Sequence, residues 1–423
     1  MSWLELAKSK HPDRVGVEGP ERSLTYAELY DAAYRAAGAL HGLGVRPGSR
    51  VALVLAPGEE YVIALHGCML AGAAAVPIDL RLTDNERAAR IGTADVVVDG
   101  PLDGRPPGSP LAIADDPAVA VMHTSGTTAA PKAVVLRHRN FLASALGSAV
   151  ALGLHPAERW LCPMPLTHVG GLSIPIRSSI YATTAVVQGR FELDAVLEQL
   201  MDPSLRTTLV SLVPTMLGRL LDAGLERPPT LRWALLGGGP IAPALLSKAE
   251  VAGVPVAPTY GMTEACSQIA TFGWPLPGVQ LLLAGDEVIV RGDVVSAGSL
   301  GEDGWLHTGD LGRFDEDGRL EIIGRQADTI VSGGENVAPA EIEAVLLGHP
   351  AVRDAAAFGR PDPEWGEVVV AQVVLRDGLE VDRDALRTHC ATRLARFKLP
   401  KQFEFVDDVP RGPTGKLLRR ELR

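Results

Sequence analysis

The segment "AVAVMHTSGTTAAPKAV" (118–134) joins a short apolar run to a small polar loop that ends in a lysine. Residues 118–122 have the short apolar pattern of a buried strand. Small polar residues directly after a strand can point several backbone N–H groups at an anion, and Lys132 adds a positive charge. The order differs from the G-x-x-x-x-G-K-[ST] pattern of a Walker loop. Taken alone, the segment fits either a different kind of phosphate-binding loop or a polar surface turn.

The sequence on both sides of this segment alternates between helix and strand patterns. In "LTYAELYDAAYRAAGALHGLGV" (24–45), Thr25 can cap a helix whose third residue is Glu28. Apolar runs at 49–55 and 73–78 flank a helical pattern at 59–72. The same alternation resumes after residue 200. A strand pattern covers 207–213, and strands that run into turns are predicted within 232–240 and 254–264. Strands that alternate with helices predict an α/β fold built from parallel βαβ units.

The pattern changes near residue 324. The last hundred residues predict turns, short strands, two helices and a basic tail, which together form a compact α+β unit of ordinary domain size. A chain of 423 residues is also too long for one ordinary core. We therefore expect a large N-terminal domain at 1–324 and a small C-terminal domain at 325–423.

Composition excludes several classes of protein. The formal net charge of −11 disfavours non-specific nucleic-acid binding, which needs a basic surface. No apolar run is long enough to predict a membrane span, and the N-terminus lacks the apolar core of a signal peptide. The four cysteines are scattered and form no C-x-x-C pair, which argues against a zinc site or a disulfide framework. These features predict a cytoplasmic enzyme.

Four further motifs follow the 118–134 segment in a fixed order. They are "TYGMTEACSQ" (259–268), "GWLHTGDLGRFDEDGRLEIIGR" (304–325), "DTIVSGGENVAPAEIE" (328–343) and "PRGPTGKLLRREL" (410–422). Together with "TSGTTAAPK" they closely resemble the motifs of the adenylate-forming superfamily of acyl- and aryl-CoA ligases. The resemblance implies mixed sheets flanked by helices, with a smaller β-rich part, in the large domain. It also implies a mobile small domain.

The resemblance further implies a two-step reaction that uses ATP, Mg²⁺ and coenzyme A. Thr263 would contact the α-phosphate, Glu264 would help to hold Mg²⁺, and His168 would gate or line the acid pocket. Lys416 would bridge the substrate carboxylate and the α-phosphate during adenylation, although a solvated basic tail is the simpler reading of that residue. A long flexible lysine suits this part because it can enter and leave a pocket.

The remaining nucleotide contacts follow from the same resemblance. Tyr260 would lie against the adenine, and Asp310 would accept hydrogen bonds from the ribose hydroxyls, with Arg325 nearby. The other residues expected at the nucleotide or thiol are Thr124, Ser125, Gly126, Thr127, Thr128, Lys132, Gly237, Gly238, Gly239, Gly261, Ser332, Gly333 and Gly334.

The segment at 160–187 most resembles the branch of this superfamily that ligates o-succinylbenzoate to CoA in menaquinone biosynthesis. That acid carries two carboxylates, so one of them must be held away from the reaction. Arg177 lies in an otherwise small and apolar stretch and is the candidate for that contact, while a structural ion pair is the alternative. Ser267 and Gln268 are expected to line the acid site.

Several alternatives stay open at this point. The enzyme could be a broader aryl- or medium-chain acyl-CoA ligase, or a stand-alone adenylation enzyme that loads a carrier protein. A catalytically inactive nucleotide-binding protein is a third reading. It is supported only by Ala129, Ala130 and Ala133, which stand where the family usually has glycine. The hinge falls at Ala327 or Asp328, and a homodimer is also open.

Overall fold

The computed structural model describes residues 2–107, 114–124, 132–332, 335–363, 365–412 and 417–422. Helices within these ranges are α1 (Trp3–Lys10), α2 (Tyr26–Gly42), α3 (Glu59–Leu70), α4 (Asp84–Ile91), α5 (His138–Leu152), α6 (Val169–Tyr181), α7 (Leu193–Met201), α8 (Pro214–Asp222), α9 (Pro243–Val251), α10 (Pro339–Leu347) and α11 (Arg383–Ala391).

The strands fall into four sheets. In chain order they are β1 (Val15–Glu18), β2 (Ser23–Thr25), β3 (Arg50–Leu53), β4 (Ala74–Pro77), β5 (Val96–Val98), β6 (Ala118–Thr124), β7 (Lys132–Arg137), β8 (Arg159–Cys162), β9 (Thr184–Val187), β10 (Leu209–Leu212), β11 (Trp233–Leu236), β12 (Val256–Tyr260), β13 (Ala270–Thr271), β14 (Trp274–Pro275), β15 (Gln280–Ala284), β16 (Glu287–Arg291), β17 (Leu306–Phe314), β18 (Leu320–Arg325), β19 (Ile330–Ser332), β20 (Glu335–Val337), β21 (Val352–Asp362), β22 (Gly366–Leu375) and β23 (Gln402–Phe405).

Two of the sheets are mainly parallel and flanked by helices. One has nine strands in the order β14-β13-β12-β11-β10-β8-β9-β1-β2, and its centre, β12-β11-β10-β8-β9, is parallel. The other has five strands in the order β5-β3-β4-β6-β7, with only β7 antiparallel to its neighbour. The α/β architecture predicted from the alternating pattern is confirmed.

Local sequence signals account for the helix starts. Thr25 and Glu28 form the predicted capping box of α2, and each side chain bonds the backbone N–H of the other residue. Pro214 is the first residue of α8. A backbone N–H at this position would have no acceptor within the helix, so proline is tolerated there. Both helices thus begin where the sequence predicts.

The two remaining sheets are largely antiparallel. Strands β15-β16-β17-β18 form a four-stranded antiparallel sheet. A 3₁₀ turn at Gln326–Asp328 connects β18 to the last sheet, which has the order β20-β19-β22-β21 with β23 beside β22. Helices α10 and α11 pack on that last sheet around a separate apolar core. In the described part of the chain, no helix is both long and apolar enough to span a bilayer.

Helix α3 is buried on almost all sides and carries an ionisable group into the core. His66 is 1% exposed, and its Nε2 atom has no hydrogen-bond partner among the described residues. Burial lowers the pKa of the His66 imidazole to about 4. The folded state therefore favours the neutral ring, whereas the unfolded chain takes up a proton near pH 6.5.

This difference predicts an acid-dependent loss of stability. Because the pKa is lower in the folded state, the stability is complete above pH 6.5 and falls as the pH drops toward 4. Between pH 7 and pH 5, protonation of His66 in the unfolded chain should lower the unfolding free energy by about 2 kcal/mol. In His66→Leu this part of the decrease should be absent, as measured by urea unfolding. The exposed His11→Leu variant serves as the control and should follow the unaltered protein. An unchanged pH dependence in His66→Leu would contradict the assignment.

Candidate functional site

The first part of the site lies at the carboxyl ends of two adjacent parallel strands. Strand β11 ends at Leu236 and runs into the turn 237–239, and β12 beside it ends at Tyr260. Open α/β sheets bind ligands at this edge. At Gly237 an added Cβ atom would lie 2.9 Å from the carbonyl oxygen of Thr259, so a side chain there would push the turn off β12. Gly238 has a φ of +80°, which also favours glycine.

A buried carboxylate joins this edge to the four-stranded sheet. Asp310 on β17 is 4% exposed and accepts a 2.8 Å hydrogen bond at Oδ2 from the hydroxyl of Tyr260. Its Oδ1 atom lies 2.7 Å from Nε of Arg325, which is its register partner on β18. The structure thus brings together three residues that the sequence places in two separate motifs.

The environment of this triad keeps the Tyr260 hydroxyl protonated. Burial and the nearby Asp310 carboxylate both raise the pKa of Tyr260. The phenol therefore remains a hydrogen-bond donor to the carboxylate at any ordinary pH. Each carboxylate oxygen has a second lone pair, so Asp310 can still accept bonds from vicinal hydroxyls.

The segment 261–268 is a tight turn that only a glycine at its start allows. An added Cβ at Gly261 would lie 1.5 Å from the carbonyl oxygen of Ser267. Cys266 and Ser267 then adopt φ values of +49° and +88°, in the left-handed region that non-glycine residues seldom occupy. The hydroxyl of Ser144 holds the turn by donating a 2.8 Å bond to the Cys266 carbonyl.

Ser296 connects this turn to the flank of the predicted phosphate loop. Its backbone N–H donates to the Glu264 carbonyl at 2.8 Å, and its hydroxyl donates to the Val135 carbonyl on β7 at 2.9 Å. Strands β6 and β7 pair so that Thr124 lies opposite Lys132. The two ends of the predicted loop therefore stand beside the 3₁₀ turn that contains Thr263 and Glu264. Ser125, Gly126, Thr127, Thr128, Ala129 and Ala130 lie outside the described residues.

The carboxylate of Glu264 is available for a cation. Within the described ranges it makes no hydrogen bond or ion pair, and no group of three or more His, Cys, Asp or Glu residues could hold a metal. Mg²⁺ keeps several waters or phosphate oxygens and uses one or two carboxylates. A carboxylate without a partner among the described residues, close to the strands that flank the predicted phosphate loop, therefore fits Mg²⁺ that arrives with a nucleotide.

The buried arginine predicted from the sequence lies on α6, against α5 and the turn at 261–268. Arg177 is 1% exposed, donates a 2.8 Å bond from Nη2 to the Ser144 hydroxyl and stacks 5.6 Å from the centre of the Trp160 ring. Its Nε has no partner, and it pairs with no carboxylate among the described residues. Burial lowers the pKa of the guanidinium, against the opposing effects of Tyr181 and Cys266. The predicted alternative, a structural ion pair, is not observed in the described part of the chain.

The other residues expected at the acid occupy different environments. Gln268 is buried and donates a 3.0 Å bond from Nε2 to Thr271, which ties it to the sheet. Ser267 is partly exposed on the strained turn. His168 is the N-cap residue of α6 and is exposed, and packed protein atoms around its ring lower the imidazole pKa while Asp79 raises it.

The C-terminal motifs are only partly within the described ranges. Ser332 ends β19 and pairs with Glu335 across the "SGGEN" turn. Gly333, Gly334 and Lys416 lie outside the described residues. An isolated bridge pairs Arg411 with Leu417, the described residues on the two sides of 413–416.

Sequence motifs did not reveal the supporting serines. Ser144 lies in the middle of α5 and Ser296 in a loop, and neither belongs to a recognisable pattern. Both act through hydrogen bonds to residues more than 100 positions away. No local signal could have found them, because their partners are set by packing between elements.

Comparisons with known proteins cover almost the whole chain. Residues 4–99 and 100–302 match the model of the AMP-binding enzyme family, and residues 341–416 match that of the AMP-binding enzyme C-terminal domain. The chain is 37% identical to the 2-succinylbenzoate–CoA ligase of Bacillus licheniformis, over 100% of this chain and 99% of that one. The corresponding ligase of Geobacillus kaustophilus is 38% identical, over 100% of this chain and 97% of that one.

Solved structures agree. The o-succinylbenzoate CoA synthetase of Bacillus subtilis, in complex with its acyl-adenylate intermediate, is similar with a TM-score of 0.90 and 34% identity, over 100% of this chain and 97% of that one. The same synthetase in complex with ATP and a magnesium ion gives a TM-score of 0.90 over 99% and 98% of the two chains, also at 34% identity.

His307 lies three residues before Asp310 and contacts two carboxylates, those of Glu287 and Asp303. Nδ1 of His307 lies 2.9 Å from Glu287 and its Nε2 lies 3.0 Å from Asp303. The other oxygen of Glu287 accepts a 3.0 Å bond from the backbone N–H of Gly309, next to Asp310. Hydrogen bonds to Glu287 and Asp303 raise the pKa of His307, so both contacts are present at low pH and one is lost as the ring deprotonates.

We therefore expect ATP affinity to fall about twofold to fivefold as the pH rises through the His307 pKa, a modest change because the pair is exposed. In His307→Gln this pH dependence should disappear, as measured by ATP titration between pH 6 and pH 9. A variant that keeps the full pH dependence would show that another group is responsible.

Proposed function

The chain belongs to the AMP-binding enzyme family, and on that premise we propose that it ligates o-succinylbenzoate to coenzyme A in menaquinone biosynthesis. The reaction class is that of an AMP-forming acid–CoA ligase. The acid would first attack the α-phosphorus of ATP, forming an acyl-adenylate and releasing pyrophosphate. The thiol of CoA would then attack the acyl carbon, form the thioester and release AMP.

The buried Arg177 is the observation that carries the choice of acid. A guanidinium enclosed by protein is costly unless an anion or a full set of acceptors meets it. Among the described residues, Arg177 donates to one neutral acceptor, the hydroxyl of Ser144, and its Nε has no partner. In the proposal, the carboxylate of the acid that does not react meets this arginine. The relatives described above are ligases or synthetases of the same dicarboxylic acid, which supports the proposal.

The residues at the sheet edge would hold the nucleotide. The turn 237–239 offers backbone to the adenine beside Tyr260, and Asp310 would accept from the ribose hydroxyls. Thr263 would donate to the α-phosphate and Lys132 would face the outer phosphates. Positive charge and positioning provide most of the catalysis in such a transfer.

Mg²⁺ supplies charge neutralisation between the phosphates when it is bound. Glu264 is the side chain we propose for holding it, because its carboxylate has no partner within the described ranges. Lys416 would neutralise the charge that develops between the attacking carboxylate and the α-phosphate. His168, at the exposed start of α6, would line the entrance to the acid.

We also propose that the chain works as two domains, 1–324 and 325–423, which change their relative orientation between the two steps. The supporting observation is that β18 and β19 belong to different sheets and are joined only by the turn Gln326–Asp328. The C-terminal sheet has its own apolar core. The hinge would therefore lie at Ala327 or Asp328. All four cysteines are buried free thiols, which fits the proposed cytoplasmic location.

The test of this function is pyrophosphate release over a panel of acids, with and without CoA. We expect o-succinylbenzoate to give the highest kcat/KM, and CoA to convert the adenylate into a thioester. Activity with benzoate or octanoate but none with o-succinylbenzoate would contradict the choice of acid. Pyrophosphate release without any CoA thioester would favour a carrier-loading enzyme, and no response to any acid would contradict the ligase activity.

A second prediction isolates Arg177. In Arg177→Gln the KM for o-succinylbenzoate should rise about 10- to 100-fold, because a hydrogen-bonded charge pair is lost, while the KM for ATP stays within about twofold. Arg219→Gln is the matched control, since Arg219 also stacks on an aromatic ring, that of Phe191, but is exposed on α8. An equal rise in both KM values would assign Arg177 to folding rather than to the acid.

A further inference from the structure

We infer that Arg419 is a positioning residue for the adenylation step, because it fixes the chain directly after Lys416 (417–422) to the turn between the two sheets. The inference rests on the part proposed above for Lys416. Arg419 lies three residues after that lysine, in a short 3₁₀ turn, and its side chain is 18% exposed. Its contacts reach three different parts of the chain.

The first contact is with α10. Nη1 and Nη2 of Arg419 donate to the two oxygens of Glu343 at 2.6 and 2.8 Å. Glu343 is 7% exposed, and its Oε1 atom also accepts a 2.8 Å bond from the backbone N–H of Ala357. This two-pronged geometry is specific to arginine, because lysine presents a single nitrogen.

The second contact is with β21. Nη1 of Arg419 also donates a 2.7 Å bond to the carbonyl of Ala357. Arg419, Glu343 and Ala357 therefore form a closed set of hydrogen bonds on the C-terminal sheet. The arginine can take only one rotamer without breaking several bonds, and this rigidity passes to its backbone.

The third contact reaches the linker. Nε of Arg419 lies 3.1 Å from Oδ2 of Asp328, the last residue of the turn between β18 and β19. The residue beside the proposed hinge is thus bonded to the chain that follows Lys416. Any reorientation about the hinge would therefore carry residues 417–422 together with the C-terminal sheet.

Other contacts join the described residues on the two sides of 413–416. The bridge between Arg411 and Leu417, and a 2.8 Å bond from the Leu418 N–H to the Pro410 carbonyl, bring these two sides together. The guanidinium of Arg411 binds Asp354 at 2.6 Å. Leu417 and Leu422 pack in an apolar cluster of the C-terminal sheet. Apolar packing is non-directional, so the directional hydrogen bonds of Arg419 are what orient the described residues 417–422.

The experiment compares Arg419→Lys with the unaltered protein in two half-reactions. Acyl-adenylate formation is measured as the release of pyrophosphate that depends on o-succinylbenzoate. Its rate should fall about tenfold or more, because several charged hydrogen bonds are lost. Thioester formation from supplied acyl-adenylate and CoA should stay within about twofold. Lys416→Ala is the reference for a selective loss of the first step. Arg387→Lys is the matched control, since exposed Arg387 donates one bond to a backbone carbonyl.

A readout without catalysis separates this inference from the proposed function. In Arg419→Lys, amide hydrogen exchange in peptides spanning 411–422 should rise, whereas Arg387→Lys should leave it unchanged. A second variant, Asp328→Asn, covers the case in which Arg419→Lys does not fold. It keeps the contacts of Arg419 with Glu343 and Ala357, and it should lose less activity in the first half-reaction. Equal loss in both half-reactions, or unchanged exchange at 411–422, would overturn the inference. If the unaltered protein released no pyrophosphate with any acid, the ligase activity would fail, and the exchange result would still decide how the segment is held.

Discussion

The buried carboxylate of Asp310 is the interaction on which the arrangement of the sheets depends. It is bonded at one oxygen to Tyr260, which ends a strand of the nine-stranded sheet, and at the other to Arg325, which ends the four-stranded sheet. A carboxylate at this depth is stable only with such partners, because an unpaired buried charge costs several kcal/mol. The same group is the proposed ribose acceptor. Removing it would therefore weaken the junction between the two sheets and remove the proposed contact with the ribose.

The turn at 261–268 shows how small polar groups build a functional geometry. Cys266 and Ser267 hold left-handed backbone angles that cost free energy by themselves. Gly261 lets the turn close, and the hydroxyls of Ser144 and Ser296 bind it to two different parts of the fold. Backbone strain of this kind persists only where the surroundings over-determine it, and it places Glu264 beside the phosphate-loop strands.

Two arginines that lie mostly inside the protein meet different partners in this fold. Arg419 pairs with the carboxylates of Asp328 and Glu343, which neutralise its charge within the protein. Arg177 is more deeply buried and meets a hydroxyl and an indole ring, with no carboxylate among the described residues. The first arrangement holds the structure together, whereas the second leaves the guanidinium without a carboxylate among the described residues, as the proposed contact with the acid requires. Burial alone does not distinguish the two, and the partners do.

Local sequence patterns were enough to predict the fold class and the order of the elements, and the motifs supplied most of the candidate residues. Helix α2 begins directly after its cap residue Thr25, and α8 begins at Pro214, because capping and proline geometry act over a few residues. The five motifs are equally local. Other features became visible only in the tertiary structure. Arg177 has no carboxylate partner in the described ranges, and Ser144 and Ser296 hold the 261–268 turn. Arg419 contacts Asp328, 91 positions away. Contacts over such separations depend on how whole sheets pack, and no short pattern of residues records that packing.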